Sequence, residues 1–329
     1  MATAVLIEAT TLRSLLTPPT TLIHHLQTSL PTAAATTHSP LRHHHQTSPT
    51  SSLILMPSWS LHPSLPYTGV KLVTHHPLNA SASSSIHASY VLFHSLTGQT
   101  LATLDGTQLT LHRTAAVSAL ASLYLSRPNS QTLLMVGAGA LAPHLIRAHL
   151  AVRPGLNRVI IWNRHLDKAQ ALADSLKIEA EFSIRVCFES CKELEAAVGM
   201  ADIISCATNS EVPLVMGVGM KAGAHLDLVG SFKESMRECD DEAVRRGRVF
   251  VDNEAALEEA GELVGAFKRG VIGRSEVVGE LVELIKGEKV GRRDEEEVTV
   301  FKSVGSAVVD LVSAQLVYET FIKDFQATE

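Results

Sequence analysis

The stretch LLMVGAGALAPHLIRAHL, Leu133 to Leu150, constrains the fold more than any other part of the chain. A short apolar run ends at Gly137, and the spacing G-x-G-x-x-A (Gly137, Gly139, Ala142) leads into a helical pattern. The first glycine permits a tight turn, the second lets another group approach the backbone, and the small Ala142 lets helix and strand close together. Pro143 suits a first helical turn, whose amides have no intrahelical acceptor. The same helix end offers N–H groups and a positive dipole end to phosphate. A second strand-like run, 158–163, follows about one βαβ unit later. A glycine-rich turn alone is weak evidence. Strand, turn, helix and second strand in this order point to a bound dinucleotide, with Gly137, Ala138, Gly139, Ala140 and Leu141 forming the phosphate turn.

The second run, RVIIWNRHLDKAQ, ends on Asn163 and Arg164 where such folds usually carry an acid that accepts from the ribose 2′-hydroxyl. An acid there repels a 2′-phosphate; the planar fork of Arg164 suits one. Asn163 donates without charge, His165 follows, and Lys168 lies one helical turn on. The substitution reads as a choice of NADPH over NADH.

Beyond Pro128 short apolar runs alternate with helical patterns, which is the signature of a doubly wound parallel sheet. Strands are expected at 132–136, 158–163, 184–188, 202–207, 224–229 and 248–252, and helices at 141–151, 167–177, 191–198, 239–246 and 255–269. Asp252 and Asn253 either face the cofactor cleft or cap the last of these helices. The first region reads as α+β and largely antiparallel. AVLIEATTLRSLLT suggests a strand running into a helix, apolar residues at 22, 23, 26 and 30 suggest a second helix, and 31–50 suggest a polar loop. Strand-like pieces follow (SSLILMPSW, TGVKLVTHH, SYVLFHS, QTLATLDG), with a Ser-rich loop over 77–87 and a hairpin turn at Leu96-Thr97-Gly98. A helix is expected over 108–125. The tail SAVVDLVSAQLVYETFIKDF is a long amphipathic helix that packs back on the first region. The domains expected are 1–112 with 306–329, and 113–305 for the Rossmann-type part.

At 329 residues and 19% charged, with net charge −6, the chain has the composition of a globular protein of two domains and not that of a nucleic-acid binder. No apolar run reaches the roughly 18 residues that span a bilayer. Cys187, Cys191, Cys206 and Cys239 make neither a disulfide framework nor a paired zinc motif, and His43–His45 carry no neighbouring carboxylate or thiol, so no metal is expected. RRDEEEVTV, 292–300, reads as an exposed charged loop. The acid-poor start resembles a plastid leader in composition but reads as folded, leaving plastid and cytoplasm as the two compartments.

Up to residue 110 the acids are Glu8 and Asp105 and the bases Arg13, Arg42 and Lys71. Local salt bridges therefore do not readily account for Arg42 and Lys71. With Arg113 they make either a clamp for a small carboxylate or three separate surface charges.

LRHHH, GVKLVT, GTQLTLHRTAAVSALAS, MVGAGALAPHLIRA, IIWNR, CATNSEVPLV, LDLVGSF, VFVDN and TVFKSVGSAVVDL, in that order, resemble the ornithine cyclodeaminase/mu-crystallin family over nearly the full chain. The likeness falls on the plant branch that reduces cyclic ketimines to pipecolate. The resemblance implies a homodimer. In it the N-terminal region and C-terminal helix form the substrate and dimerisation domain, with a Rossmann domain between. It implies that Arg42, Lys71 and Arg113 hold the substrate carboxylate. Thr208 and Asn209, Val229 to Ser231, and Ser303 to Gly305 would line the nicotinamide. One departure stands out: cyclodeaminases carry an Asp three residues after the Val of a V-G-x-D block, and this position is Phe232. A phenyl ring neither takes a proton nor orients a leaving amine. The expectation is hydride transfer to the C=N carbon of a cyclic imino acid, with Lys71 as proton donor or electrostatic partner, its pKa lowered by like charge.

Overall fold

The computed structural model describes residues 4–76, 86–179 and 185–327. The chain divides into two units, Met1–Thr114 with Ser306–Glu329, and Ala115–Gly305.

The first unit opens with β1 (Val5–Ile7), α1 (Ala9–Leu15) and α2 (Pro19–Thr36). The strands β2 (Thr37–His38), β3 (His43–Gln46), β4 (Ser52–Ser60), β5 (Tyr67–His75), β6 (Ile86–His94) and β7 (Thr100–Asp105) follow, and α3 (Gly106–Leu125) runs on into the second unit from Ala115. The sheet order is β1-β7-β6-β5-β4-β2, with β3 also on β4; β1 runs parallel to β7 and the other pairs are antiparallel. The turn between β6 and β7 is held by His94 N to Gln99 O (2.9 Å), with Gly98 at φ 71°.

Side chains alternate across a strand. On β5, Tyr67, Gly69 and Lys71 are buried while Thr68, Val70 and Leu72 are half-exposed. The last helix, α11 (Ala307–Gln326), packs on α2, β4 and β5. Ser58 Oγ donates to Ala307 O (2.9 Å) and Tyr67 Oη to Glu319 Oε1 (3.0 Å), fixing the helix along the strands.

One expectation for this unit fails. The polar loop at 31–50 is largely absent: α2 continues through Pro31 to Thr36, and His43–Gln46 pair with Leu55–Ser52 of β4. An internal proline costs a helix about 3 kcal/mol. Buried Leu22, Ile23, Leu26, Leu30 and Ala33 hold α2 through it. The His run becomes an exposed strand because β4 offers it an edge, not because of its own composition. Of the Ser-rich segment 77–87, residues 77–85 lie outside the described residues, and Ile86 and His87 begin β6.

The second unit contains β8 (Thr132–Val136), α4 (Ala142–Val152), β9 (Arg158–Trp162), α5 (Leu166–Lys177), β10 (Cys187–Cys191), α6 (Leu194–Met200), β11 (Ile203–Cys206) and β12 (His225–Leu228). After these come α7 (Asp241–Arg246), β13 (Arg248–Val251), α8 (Ala256–Glu259), α9 (Gly261–Lys268), β14 (Gly279–Glu280), α10 (Leu281–Lys286) and β15 (Thr299–Lys302). All pairs are parallel, in the order β10-β9-β8-β11-β12-β15-β13-β14. This is the doubly wound sheet expected. Strand order reverses between β8 and β11, and ligands of such sheets bind outside the carboxyl ends of the strands at that point.

Here too the register departs locally. The strand expected at 184–188 is Cys187–Cys191, with 184 outside the described residues, and the helix expected at 191–198 is Leu194–Met200. The helix expected over 255–269 breaks at Ala260, which is extended (ψ 118°). A Cβ on Gly261 would stand 1.9 Å from Met236 O and 2.8 Å from Glu234 O, so the chain must turn there to let two backbone segments meet. Gly261→Ala is therefore expected to destabilise the protein by about 1–3 kcal/mol, read as a fall in the urea midpoint; an unchanged midpoint contradicts this. The charged segment 292–300 is only partly exposed. Arg292 donates to Leu125 O (2.8 Å) and Glu297 O (2.5 Å), and Thr299 and Val300 belong to β15. No helix among the described residues is long and apolar enough to cross a membrane.

Candidate functional site

Gly137 follows β8 at φ 114°, in the left-handed region that glycine tolerates, and a Cβ there would lie 2.6 Å from Ala207 O. Protein packing thus dictates this glycine. Gly139 differs, since a Cβ on it would meet nothing within 4 Å. Nothing in the chain needs that space empty, whereas a pyrophosphate drawn onto the backbone does. α4 begins at Ala142 with Pro143 in its first turn and directs its N-terminus toward this turn. These residues fit a dinucleotide.

Gly137 N donates to Trp162 O (2.8 Å), which ties the turn to the end of β9. Asn163, half-buried, donates from Nδ2 to His165 O (3.1 Å), while Arg164, His165 and Lys168 are exposed beside it. Arg164 thus follows the end of β9 and Lys168 lies in the first turn of α5.

Three further loops leave the carboxyl ends of β11, β12 and β15. Each is held from below by a carboxylate. Glu238, fully buried, accepts from Thr208 N (2.6 Å), Thr208 Oγ1 (2.9 Å) and Gly230 N (2.7 Å). Asp252 accepts from Val304 N (3.1 Å) and Gly305 N (2.8 Å), with Gly305 at φ 89°. Glu262 accepts from Glu238 N (2.6 Å) and lies 3.8 Å from Lys302, whose Nζ donates to Leu228 O (3.1 Å). Burial pushes the Glu238 carboxyl up to about 7; Glu262 adds to this, against Lys302 and the Thr208 bonds.

Thr208 and Gly305 are half-buried, Asn209 exposed, and Val229 and Ser303 buried at these loop ends. Ser231 is fully buried, its hydroxyl donating to Met236 O (2.7 Å) and accepting from Gly261 N (3.1 Å), which commits that side chain to the fold. Phe232 beside it is 42% exposed. Glu234 lies at the surface paired with Lys268. Asp252 supports the loop after β15. Asn253 Oδ1 accepts from Ala255 N (3.0 Å), but the N-cap of α8 is Ala255 and no side chain caps it, so the capping alternative fails.

In the first unit the basic residues are brought to one face. Lys71, buried on β5, has Nζ 2.7 Å from Asp310 Oδ2; Arg113 of α3 has Nε 2.9 Å from Asp310 Oδ1. Arg42 is half-buried and close enough to depress the Lys71 pKa. Among the described residues no local acid pairs with Lys71, as expected; its partner, and that of Arg113, is the remote Asp310, fully buried on α11 at the other end of the chain. Its signal was an acid between Val309 and Leu311 in an otherwise apolar helical stripe. Burial lowers the Lys71 pKa to about 8, opposed by Asp310 and reinforced by Arg113 and Arg42, so like charge is the lesser cause. Burial works against the Asp310 charge, but Lys71 and Arg113 outweigh it and hold that carboxyl below its ordinary range. Tyr90 stands opposite Lys71 in the ladder, fully buried, and its ring lies over Gly69.

Two buried cations sharing one carboxylate leave this cluster with a net positive charge. Arg113 meets Asp310 through Nε, and the Nη atoms of such a fork suit a planar anion.

The sequence profile of the ornithine cyclodeaminase/mu-crystallin family matches residues 6–324. The chain is 56% identical over 303 residues, 92% of its length and 93% of the relative's, to Protein SAR DEFICIENT 4 of Arabidopsis thaliana. It is 42% identical over 226 residues (68% and 69%) to the Δ1-pyrroline-2-carboxylate reductase of Colwellia psychrerythraea. Among solved structures, the Thermococcus litoralis Δ1-pyrroline-2-carboxylate reductase in complex with NADH and L-proline superposes with TM-score 0.90 at 29% identity, covering 97% of this chain and 98% of that one. The chain belongs to the ornithine cyclodeaminase/mu-crystallin family.

Proposed function

We propose that the protein is an NADPH-dependent oxidoreductase of C=N bonds that reduces Δ1-piperideine-2-carboxylate, and its five-membered analogue, to L-pipecolate or L-proline. The observation that carries this reading is the buried Lys71–Arg113–Asp310 cluster, two cations to one carboxylate, in a chain that also bears a dinucleotide turn. Relatives named as reductases of a cyclic imino acid support it. Arg164 and Lys168 at the end of β9 support NADPH as the cofactor.

The residues divide the work. Arg42 and Arg113 bind the carboxylate and so orient the imine carbon. Lys71 supplies a proton to the imine nitrogen, and Asp310 keeps Lys71 and Arg113 in register. NADPH, when bound, would supply the hydride for the C=N carbon, and Lys71 the proton for the nitrogen. Gly137 to Leu141 hold the pyrophosphate and Asn163, Arg164, His165 and Lys168 the 2′-phosphate end. Thr208, Asn209, Val229, Ser231, Ser303 and Gly305 line the nicotinamide, Ser231 through its backbone.

The first unit, with α11, is the substrate and dimerisation domain. The sheet face opposite α11 carries Leu55, Val70, Leu72, Val91 and Phe93, all half-exposed. A contiguous apolar face of this kind fits a second copy of the chain.

The experiment that tests the reading supplies NADPH deuterated at C4 with the six-membered ketimine and identifies the product by chiral chromatography and mass. L-pipecolate carrying deuterium at C2 is expected. Unlabelled or D product overturns the assignment. Ornithine is expected to release no ammonia, given Phe232.

A further inference from the structure

We propose that Glu238 is the positioning residue for the nicotinamide end of the cofactor site: a single buried carboxylate that clamps the loop after β11 to the loop after β12. The inference rests on the reading that the second unit binds NADPH.

Glu238 sits at the carboxyl ends of β11 and β12. One oxygen accepts from both the amide and the hydroxyl of Thr208, and the other accepts from Gly230 N. Those two residues flank the sites assigned to the nicotinamide, yet Glu238 itself is fully buried. The clearance around it is small: a Cβ on Gly230 would come 2.1 Å from Thr208 O and 2.3 Å from Glu238 Oε1. The Glu238 backbone is in turn held by Glu262, whose carboxylate accepts from Glu238 N (2.6 Å) and faces Lys302 (3.8 Å). A buried acid beside a second buried acid is an expensive way to join two loops. An apolar contact would pack as well but could not gather three donors from two loops into one plane. The arrangement is understandable if the loops must present their outer faces with the accuracy that hydride transfer needs.

The ionised form offers acceptors on both oxygens, and protonation removes part of that capacity. The groups facing Glu238 are Lys302 on β15, Glu262 on α9, Cys206 on β11 and the adjacent Cys239. Burial places the Glu238 titration at about 7, so the clamp is complete above that pH and loosens below it.

The test compares two probes by titration calorimetry: NADPH, and ADP-ribose 2′-phosphate, which carries the same phosphates without the nicotinamide. In Glu238→Gln the amide offers one acceptor oxygen where two are used. Its Kd for NADPH is expected to rise about tenfold, the worth of one charge-assisted hydrogen bond. The Kd for the fragment should stay within about twofold, since its site is elsewhere in the unit. Wild-type protein supplies an arm independent of the variant's folding: the ratio of the two Kd values should rise as pH falls from 8 to 6. Because both probes carry the 2′-phosphate, its own titration cancels in the ratio. Unchanged NADPH affinity in the variant, equal weakening of both probes, or a flat wild-type ratio overturns the proposal. Wild-type protein that binds neither probe overturns the cofactor reading itself.

Discussion

Asp310→Asn is expected to cost about 3–5 kcal/mol of folding stability, because it leaves the buried Lys71 and Arg113 without their shared counter-charge. Its second effect appears in the pH profile. Lys71 titrates at about 8, so in wild-type protein kcat/KM should fall as pH rises through that value and the ammonium loses its proton. Burial, Arg113 and Arg42 all depress the Lys71 pKa, and Asp310 is the group that raises it. With Asp310 gone, the descending limb should move to lower pH. Lys71→Met removes the titrating group and should lower kcat by at least about 100-fold, the usual worth of a positioned proton donor. Urea denaturation and pH–rate profiles of the two variants read these effects. Full kcat in Lys71→Met, or an unmoved alkaline limb in Asp310→Asn, rules out Lys71 as the donor.

The second large effect concerns the cofactor. Arg164 is exposed at the end of β9, beside a turn fastened to that strand through Gly137 N and Trp162 O. On the proposed reading, Arg164→Asp exchanges a fork suited to phosphate for a charge that repels a 2′-phosphate. Loss of a charge-assisted hydrogen bond is worth about 1.5–3 kcal/mol, so KM for NADPH should rise roughly 10- to 100-fold. KM for NADH should change little, because a carboxylate at this place accepts from a ribose hydroxyl. Equal effects on both KM values would mean that Arg164 is only a solvated charge.

Sequence and structure agree best where the physics is local. The Gly137–Ala142 turn announces itself because few residues tolerate its conformation and spacing, and a parallel sheet announces itself through short apolar strands between helices. The place of Arg164, exposed just after β9, was legible for the same reason: it lies at a fixed offset from a recognisable turn. What local pattern could not supply is partnership at a distance. Asp310 and Lys71 meet only once α11 has folded onto β5, so an acid in a helical stripe and a base in a distant strand gave no joint signal. Glu238, Glu262 and Lys302 share this property, being drawn together by three separate elements. The His43–Gln46 strand and the break at Ala260 were hidden because each answers to a neighbour, β4 in one case and the Met236 backbone in the other.

The most direct measurement follows absorbance at 340 nm while purified protein, NADPH and Δ1-piperideine-2-carboxylate are mixed, with ornithine as the parallel substrate. Steady oxidation of NADPH with the ketimine and none with ornithine is the predicted result. No loss of absorbance with the ketimine, at any cofactor concentration that saturates binding, would contradict a reductase.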